Sequence, residues 1–406
     1  MTSDHQSNYR WYILTLAALT HVFVCGIPVA CIPVLFSEIA EELGLNLVQI
    51  GIIWGTGSLA GVATGLIGGL ISDRYGTKRT LIVGCMLAAV TGALRGLPNG
   101  FIGLVITMFC FGFLMITISL AVHKTAGEWF PSRRLGIANG ILSAGMGVGV
   151  TAGAMVSATT LSPLLGSWRQ VLFLYGAISL VFSLLWLLSR QEADQHEAVS
   201  PSGAVPLRQA LSLVTGIRNI WLIALVMLCY WACLNGVTGY LPLYLRNLGW
   251  QAASADGALA ALNAASTAAV IPLALLSDRI GSRKTILIIT LVITAIGIGL
   301  LSIANDAAVW ALVVLVGLFH DGFMAVIITM TIETDRVGAA YAGTAVGLTM
   351  SLGSLGDFIG PPLGNSFARI DTGLPFVFWA ALAMISVLAF RFMKDTRRRK
   401  NGPERL

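Results

Sequence analysis

Long apolar runs alternate with short polar breaks from one end of the chain to the other. A helix needs about 20 apolar residues to cross a bilayer. Taking Gly, Pro and charge clusters as punctuation, the pattern predicts twelve such spans. They fall at residues 11–36, 47–72, 80–97, 100–122, 135–160, 168–189, 219–245, 254–277, 285–303, 307–331, 338–364 and 373–393. The polar stretch Met1–Arg10 precedes the first span and has no small-residue cleavage pattern, so it is not read as a signal peptide that is removed.

The basic residues test this count. With a cytoplasmic N-terminus, 21 of the 25 Lys and Arg fall on the cytoplasmic side, and Arg95, Arg169, Arg246 and Arg369 fall outside. That is the positive-inside bias, and adding or dropping one span would invert every later loop. The net charge of +6 is therefore a topology signal and calls for no nucleic acid. Composition points the same way. Only 11% of residues are charged and 56% are hydrophobic, against about 25% charged in a soluble domain, and the mean hydropathy is +0.83. A soluble, disordered, collagen-like or disulfide-stapled chain is excluded. The 45 glycines suit helices that approach closely in lipid. The six cysteines all lie in apolar runs and read as small apolar filler.

An internal repeat divides the chain. Ser72-Asp73-Arg74-Tyr75-Gly76-Thr77-Lys78-Arg79-Thr80 recurs 205 residues later as Ser277-Asp278-Arg279-Ile280-Gly281-Ser282-Arg283-Lys284-Thr285. Arg134-Leu135-Gly136 is echoed by Arg336-Val337-Gly338, 202 residues on. A hydrophilic stretch separates the copies, so the expected organisation is a six-helix unit at 1–190, a cytoplasmic linker at 191–217 and a second six-helix unit with a basic tail at 218–406. The expected fold is an all-α membrane protein of twelve transmembrane helices in two six-helix pseudo-symmetric bundles. Parallel repeats of this kind occur in secondary transporters, with the solute site between the halves near the midplane.

The segment from Gly69 through Asp73, Arg74, Gly76, Lys78 and Arg79 resembles the loop signature of the major facilitator superfamily, and the second copy resembles its weaker C-terminal counterpart. Glu128-Trp129-Phe130-Pro131, followed by Arg133, Arg134 and Gly136, resembles the loop entering the family's fifth helix. Trp168-Arg169 resembles the start of its sixth. Leu94-Arg95-Gly96 and the Trp-Phe-Pro loop resemble the anion and cyanate/nitrate branches. The resemblance implies that Asp73 faces the N-terminus of the eleventh helix near Gly338 and holds the cytoplasmic side shut, with Arg74, Lys78, Arg79 and Arg134 in the same gate. A carboxylate there would meet the positive end of a helix. Asp278, Arg279, Gly281 and Arg283 would act likewise in the second half.

Ionisable residues inside spans are functional candidates by default. His21 is a core residue or a cavity liner. Arg95 either snorkels to the outer headgroups or attracts an anionic solute. Asp321 lies about 14 residues into its span, roughly 21 Å along the axis, and is a candidate for proton coupling. So are Asp357, in a Gly- and Pro-rich stretch, and His320, which points about 100° away from Asp321 and need not share its environment. Trp54, Tyr230, Trp231 and Asn235 are candidate solute contacts, together with His21 and Arg95. Gly145, Gly149 and Gly153 recur every four residues as a small-residue face.

No Gly-x-x-x-x-Gly-Lys-Ser/Thr loop is present for ATP, nor any clustered nucleophile or metal ligands of a membrane enzyme. The expected function is secondary transport of a small anion by alternating access with proton symport. The alternative is proton-coupled efflux of drugs or metabolites, weakened by the lack of a Gly-Pro pair in the fifth span. The chain is expected to act as a monomer in a bacterial inner membrane, both termini cytoplasmic. Its expected partners are the solute, the lipid and protons, with no nucleic acid, metal or cofactor.

Overall fold

Helix follows from the apolar runs throughout. The computed structural model describes the backbone of residues 2–189, 207–280 and 283–393. It also describes their side chains except at 2–8, 63, 65–71, 73, 132, 133, 207, 271, 274–280, 325, 339 and 340. In chain order come α1 (Thr2–Thr20), a π-helical turn (His21–Gly26), α2 (Ile27–Leu43), α3 (Leu47–Tyr75), α4 (Thr77–Leu94), α5 (Phe101–Trp129) and α6 (Ser132–Val156). A second π-helical turn (Ser157–Leu161) then leads to α7 (Ser162–Leu165) and α8 (Trp168–Leu188). After the hydrophilic stretch follow α9 (Leu207–Thr215), α10 (Arg218–Asn247), α11 (Ala252–Ile280), α12 (Arg283–Leu300), α13 (Asp306–Ile332), α14 (Gly338–Phe367) and α15 (Leu374–Arg391).

Among the described residues, nine helical spans are long and apolar enough to cross a membrane, from Tyr9–Leu43 to Leu374–Arg391. The remaining predicted ranges, 47–72, 254–277 and 338–364, lie on α3, α11 and α14, which have 29, 29 and 30 residues. Helix ends overrun the predicted limits where no breaker intervenes. The first span extends back through its polar lead to Thr2 and forward to Leu43. It stops at Gly44, whose φ of 62° is left-handed, a conformation glycine adopts without a Cβ clash. Asn46 then opens α3 with a reciprocal cap, its side chain accepting from the Gln49 N–H while Gln49 accepts from the Asn46 N–H.

Close packing follows the glycine pattern. A Cβ built on Gly145, Gly149 or Gly153 of α6 would lie 2.8, 2.7 and 2.7 Å from the carbonyl oxygens of Ala18, Val22 and Ile27. The predicted small-residue face is thus the seat of the first span. In α14, a Cβ on Gly356 or Gly360 would sit 2.1 or 2.3 Å from the Leu228 or Ala232 carbonyl of α10. On its other side, Gly51 and Gly55 of α3 press on Pro362 and Phe358. Two of the buried apolar clusters are confined to one part of the chain each, between Ile13 and Trp186 and between Ile223 and Met393. A third brings residues between Ile27 and Tyr175 together with Leu243, Leu259 and Ala260.

Gly149→Val is expected to cost about 3 kcal/mol through overpacking against backbone that cannot retreat. The measurement is thermal unfolding of the purified protein. An unchanged melting temperature would show that the two spans can separate without cost.

Candidate functional site

Arg95 caps α4 just before the polar turn into α5. Its side chain folds back into the protein and is completely buried. Nη1 donates to the Pro28 carbonyl at 2.9 Å and Nε reaches the Gly92 carbonyl at 3.4 Å. The guanidinium carbon lies 3.6 Å from the centre of the Phe111 ring. Phe111 is ten residues into α5, roughly 15 Å from its end, so the charge is held at depth and does not reach the headgroups. The snorkelling alternative is corrected here: Pro28 and Phe111 offer a carbonyl and a π face inside, and burial is complete. Nη2 is buried without a hydrogen-bond partner, and among the described residues no carboxylate pairs with this cation.

Arg95 borders a cavity of about 250 Å³. Its wall is largely apolar, formed by Val29, Met108, Phe111, Met115, Ile116 and Met146, together with Trp54, Ser58 and Ser119. Of the predicted solute contacts, Arg95 and Trp54 therefore line one space. His21 stands behind its wall. Its Nδ1 is 2.9 Å from the Leu142 carbonyl and its Nε2 3.2 Å from Ser119 Oγ. Its ring meets that of His123 edge to face at 5.2 Å, and His123 Nδ1 is bonded to Asn139 at 3.0 Å.

Tyr230, Trp231 and Asn235 do not line this cavity. Tyr230 is stacked on Phe323 at 3.8 Å and donates to the His320 carbonyl, while Trp231 Nε1 faces Met324 Sδ. Asn235 joins the two parts of the chain, donating from Nδ2 to the Asp357 carbonyl and accepting at its own carbonyl from Trp54 Nε1. The Asp357 carboxyl faces Ser58, which itself lines the Arg95 cavity.

His320 and Asp321 do share an environment. Although consecutive on α13, their side chains meet at 2.9 Å, and Ser266 of α11 contacts both. The 100° separation of their Cα–Cβ directions is overcome because imidazole and carboxylate are long enough to bend toward each other.

At the loop signatures, Gly69, Asp73, Asp278, Arg279 and Gly281 fall outside the described residues or side chains. Arg74, Arg79 and Arg134 are exposed, and Gly76 makes the turn with a φ of 80°. The two copies make similar bonds, from positions one residue later in the second copy. Lys78 Nζ donates to the Ser189 carbonyl at the end of α8, and Lys284 Nζ to the Met393 carbonyl just past α15, each a cation at a helix C-terminus. Thr77 donates to Glu128, and Arg283 pairs through two nitrogens with Glu333, 205 residues after Glu128. At the opposite end, Asn365 Nδ2 donates to the Leu47 carbonyl and Thr159 Oγ1 to Asp256 Oδ2, tying α14 to α3 and the second π-helical turn to α11.

Ser58, Ser119, His123 and Asp256 escape a reading of the sequence. Nothing about a lone serine in an apolar run marks it as facing a cavity. Asp256 sits four residues into its helix, where it reads as an ordinary N-terminal acid.

The sequence profile of the Major Facilitator Superfamily matches residues 18–361 and again 248–406. A 3-(3-hydroxy-phenyl)propionate transporter of Escherichia coli K12 is 26% identical over 383 residues, covering 90% of this chain and 89% of its own. A probable sulfoacetate transporter of Cupriavidus necator is 27% identical over 250 residues and 58% of this chain, which spans 57% of that protein's length. In fold, a bacterial homolog of the human lysosomal transporter Spinster superposes with a TM-score of 0.77 at 17% identity, over 94% of this chain and 97% of that one. Apolar helices of membrane-crossing length, a signature loop that occurs twice and a profile match along most of the sequence lead to one conclusion: this multi-pass membrane protein belongs to the Major Facilitator Superfamily.

Proposed function

We propose that the chain is a secondary active transporter that moves a small organic anion by alternating access, coupled to proton symport. In this reading, twelve spans form two six-helix bundles, residues 1–190 and 218–406, joined by a cytoplasmic linker at 191–217. The observation that carries it is Arg95. A buried guanidinium with a free nitrogen and, among the described residues, no carboxylate partner is costly at membrane depth, and it becomes favourable once an anion enters the neighbouring cavity. The names of the two relatives above, transporters of a carboxylate and of a sulfonate, fit an anionic solute.

The coupling groups in this reading are the His320–Asp321 pair and Asp357. Asp357 lies where α3, α10 and α14 meet, and a rocking of one half on the other would change its surroundings. The bonds at Leu47, Asn235 and Asp256 suit a state closed at the end remote from the signature loops. Efflux of lipophilic cations is the weaker reading, because Arg95 would repel them from this cavity.

Counterflow in proteoliposomes tests the proposal. Preloaded unlabelled 3-(3-hydroxyphenyl)propionate or sulfoacetate should accelerate entry of the labelled solute, and an inward proton gradient should drive its accumulation. Movement of lipophilic cations alone, or chemical conversion of the solute, would defeat the proposal. Asp73→Asn is expected to slow exchange about ten-fold, the worth of a charge at a helix terminus, with membrane insertion unchanged. Wild-type exchange rates in that variant would remove Asp73 from the gate.

A further inference from the structure

Ser119, on the wall of the Arg95 cavity, meets His21 behind it. A backbone carbonyl only accepts, so the 2.9 Å contact of His21 Nδ1 with Leu142 requires the hydrogen on Nδ1. In the neutral ring Nε2 is then a bare acceptor, and Ser119, 3.2 Å away, spends its single hydroxyl hydrogen on it. Protonation places a hydrogen on Nε2 and reverses that bond. The imidazolium donates, Ser119 Oγ accepts, and the hydroxyl hydrogen is released to point elsewhere. Ser119 lines the cavity, so that hydrogen becomes available to a solute.

His123 on α5 is the titratable side chain that faces His21 ring to ring, and it is held by Asn139 of α6. From α8 come Phe182, stacked on Phe23, and Trp186, which donates to Thr20. The thiols of Cys25 and Cys85 lie in the same buried cluster. Arg95 stands at the other end of the cavity. No carboxylate among the described residues bonds to His21.

Arg95 sits over Phe111, and Ser119 is eight residues further along α5, roughly 12 Å at 1.5 Å per residue. Met115 lies between them on the same face of the helix. We propose that the cavity takes an elongated organic anion: its carboxylate or sulfonate on Arg95, an apolar body along Phe111 and Met115, and a hydrogen-bond acceptor at the far end on Ser119. His21, as a positioning residue, offers that last bond only when protonated. Proton and solute then favour each other reciprocally, and an ion as small as nitrate cannot reach both anchors. This inference rests on the Arg95 cavity being the solute site.

Calorimetric titration of the purified full-length protein tests it, with two probes of equal headgroup. 3-(3-Hydroxyphenyl)propionate has the terminal oxygen and 3-phenylpropionate lacks it. Between about pH 8 and about pH 4, a window carried to the acid side of the usual imidazole range because the ring is buried, the hydroxylated probe should gain up to about ten-fold in affinity relative to the other, the worth of one hydrogen bond. Ser119→Ala and His21→Gln should each abolish that relative gain, while Ser119→Thr keeps it. An equal pH response of both probes in the wild type, a gain that survives Ser119→Ala, or a gain lost in His123→Gln but kept in His21→Gln would overturn the inference. Failure of both probes to bind the wild type would overturn the solute class. Full binding of either probe by Arg95→Gln would instead bring down the cavity reading beneath it.

Discussion

Replacing Arg95 by Gln is expected to weaken binding of a small organic anion at least about thirty-fold while leaving the protein as stable as before, or more so. Removing one member of a buried charge pair costs about 2–5 kcal/mol in the complex, so binding should nearly vanish in a calorimetric titration. In the empty protein the balance runs the other way. A guanidinium at membrane depth costs about 3 kcal/mol on insertion. The Phe111 face returns about 2 kcal/mol and the Pro28 carbonyl part of the remainder, while Nη2 has no partner. Gln keeps a donor for Pro28 and sheds the charge, so thermal unfolding should not move downward. Arg95→Lys should fall between, retaining charge but losing the planar fork that grips a carboxylate through two nitrogens. A variant that loses stability and binding together would make Arg95 a structural residue.

Asp256→Ala is expected to be the most destabilising single polar change, by about 3–5 kcal/mol, the cost of stranding a buried partner. Asp256 is completely buried. Arg246 Nη2 lies 2.7 Å from each of its carboxylate oxygens, and Thr159 adds a bond from the other half of the chain. Without the acid, Arg246 is left with a guanidinium whose Nε is already unpaired. Changing both residues, as Asp256→Leu with Arg246→Met, should recover most of the loss because no charge is left alone. Thr159→Ala should cost about 1 kcal/mol. If the double change melts no higher than Asp256→Ala, the loss comes from packing and the pair is not the cause.

The outline of the fold was readable because bilayer thickness and helix rise impose a length on every apolar run. Each predicted range coincides with helix to within a few residues, and the glycines spaced by four mark a real contact, since a Cβ at any of them would lie within 2.8 Å of a facing carbonyl oxygen. The similar bonds of Lys78 and Lys284 lie in a repeat visible in the letters, although the two lysines are one position out of register in it. The site was legible only in part. Arg95 stands out because a cation in an apolar run is expensive wherever it lies. Ser119 costs nothing in any position, so its facing the cavity left no trace, and nothing in the letters around His123 marks the ring contact it makes with His21.

The sequence by itself determined the succession of helices, the repeat of the loop signature and the short roster of charges that lipid forbids without a reason. Those properties depend on neighbours in the chain and on the solvent around it. Only the tertiary structure decided that Arg95 turns inward and lacks a counter-charge among the described residues, that His320 bends to Asp321, and that Ser119 stands between an imidazole and a cavity. Such pairings join residues tens to hundreds of positions apart. Helix packing sets them, and helical periodicity carries no information about which helices pack.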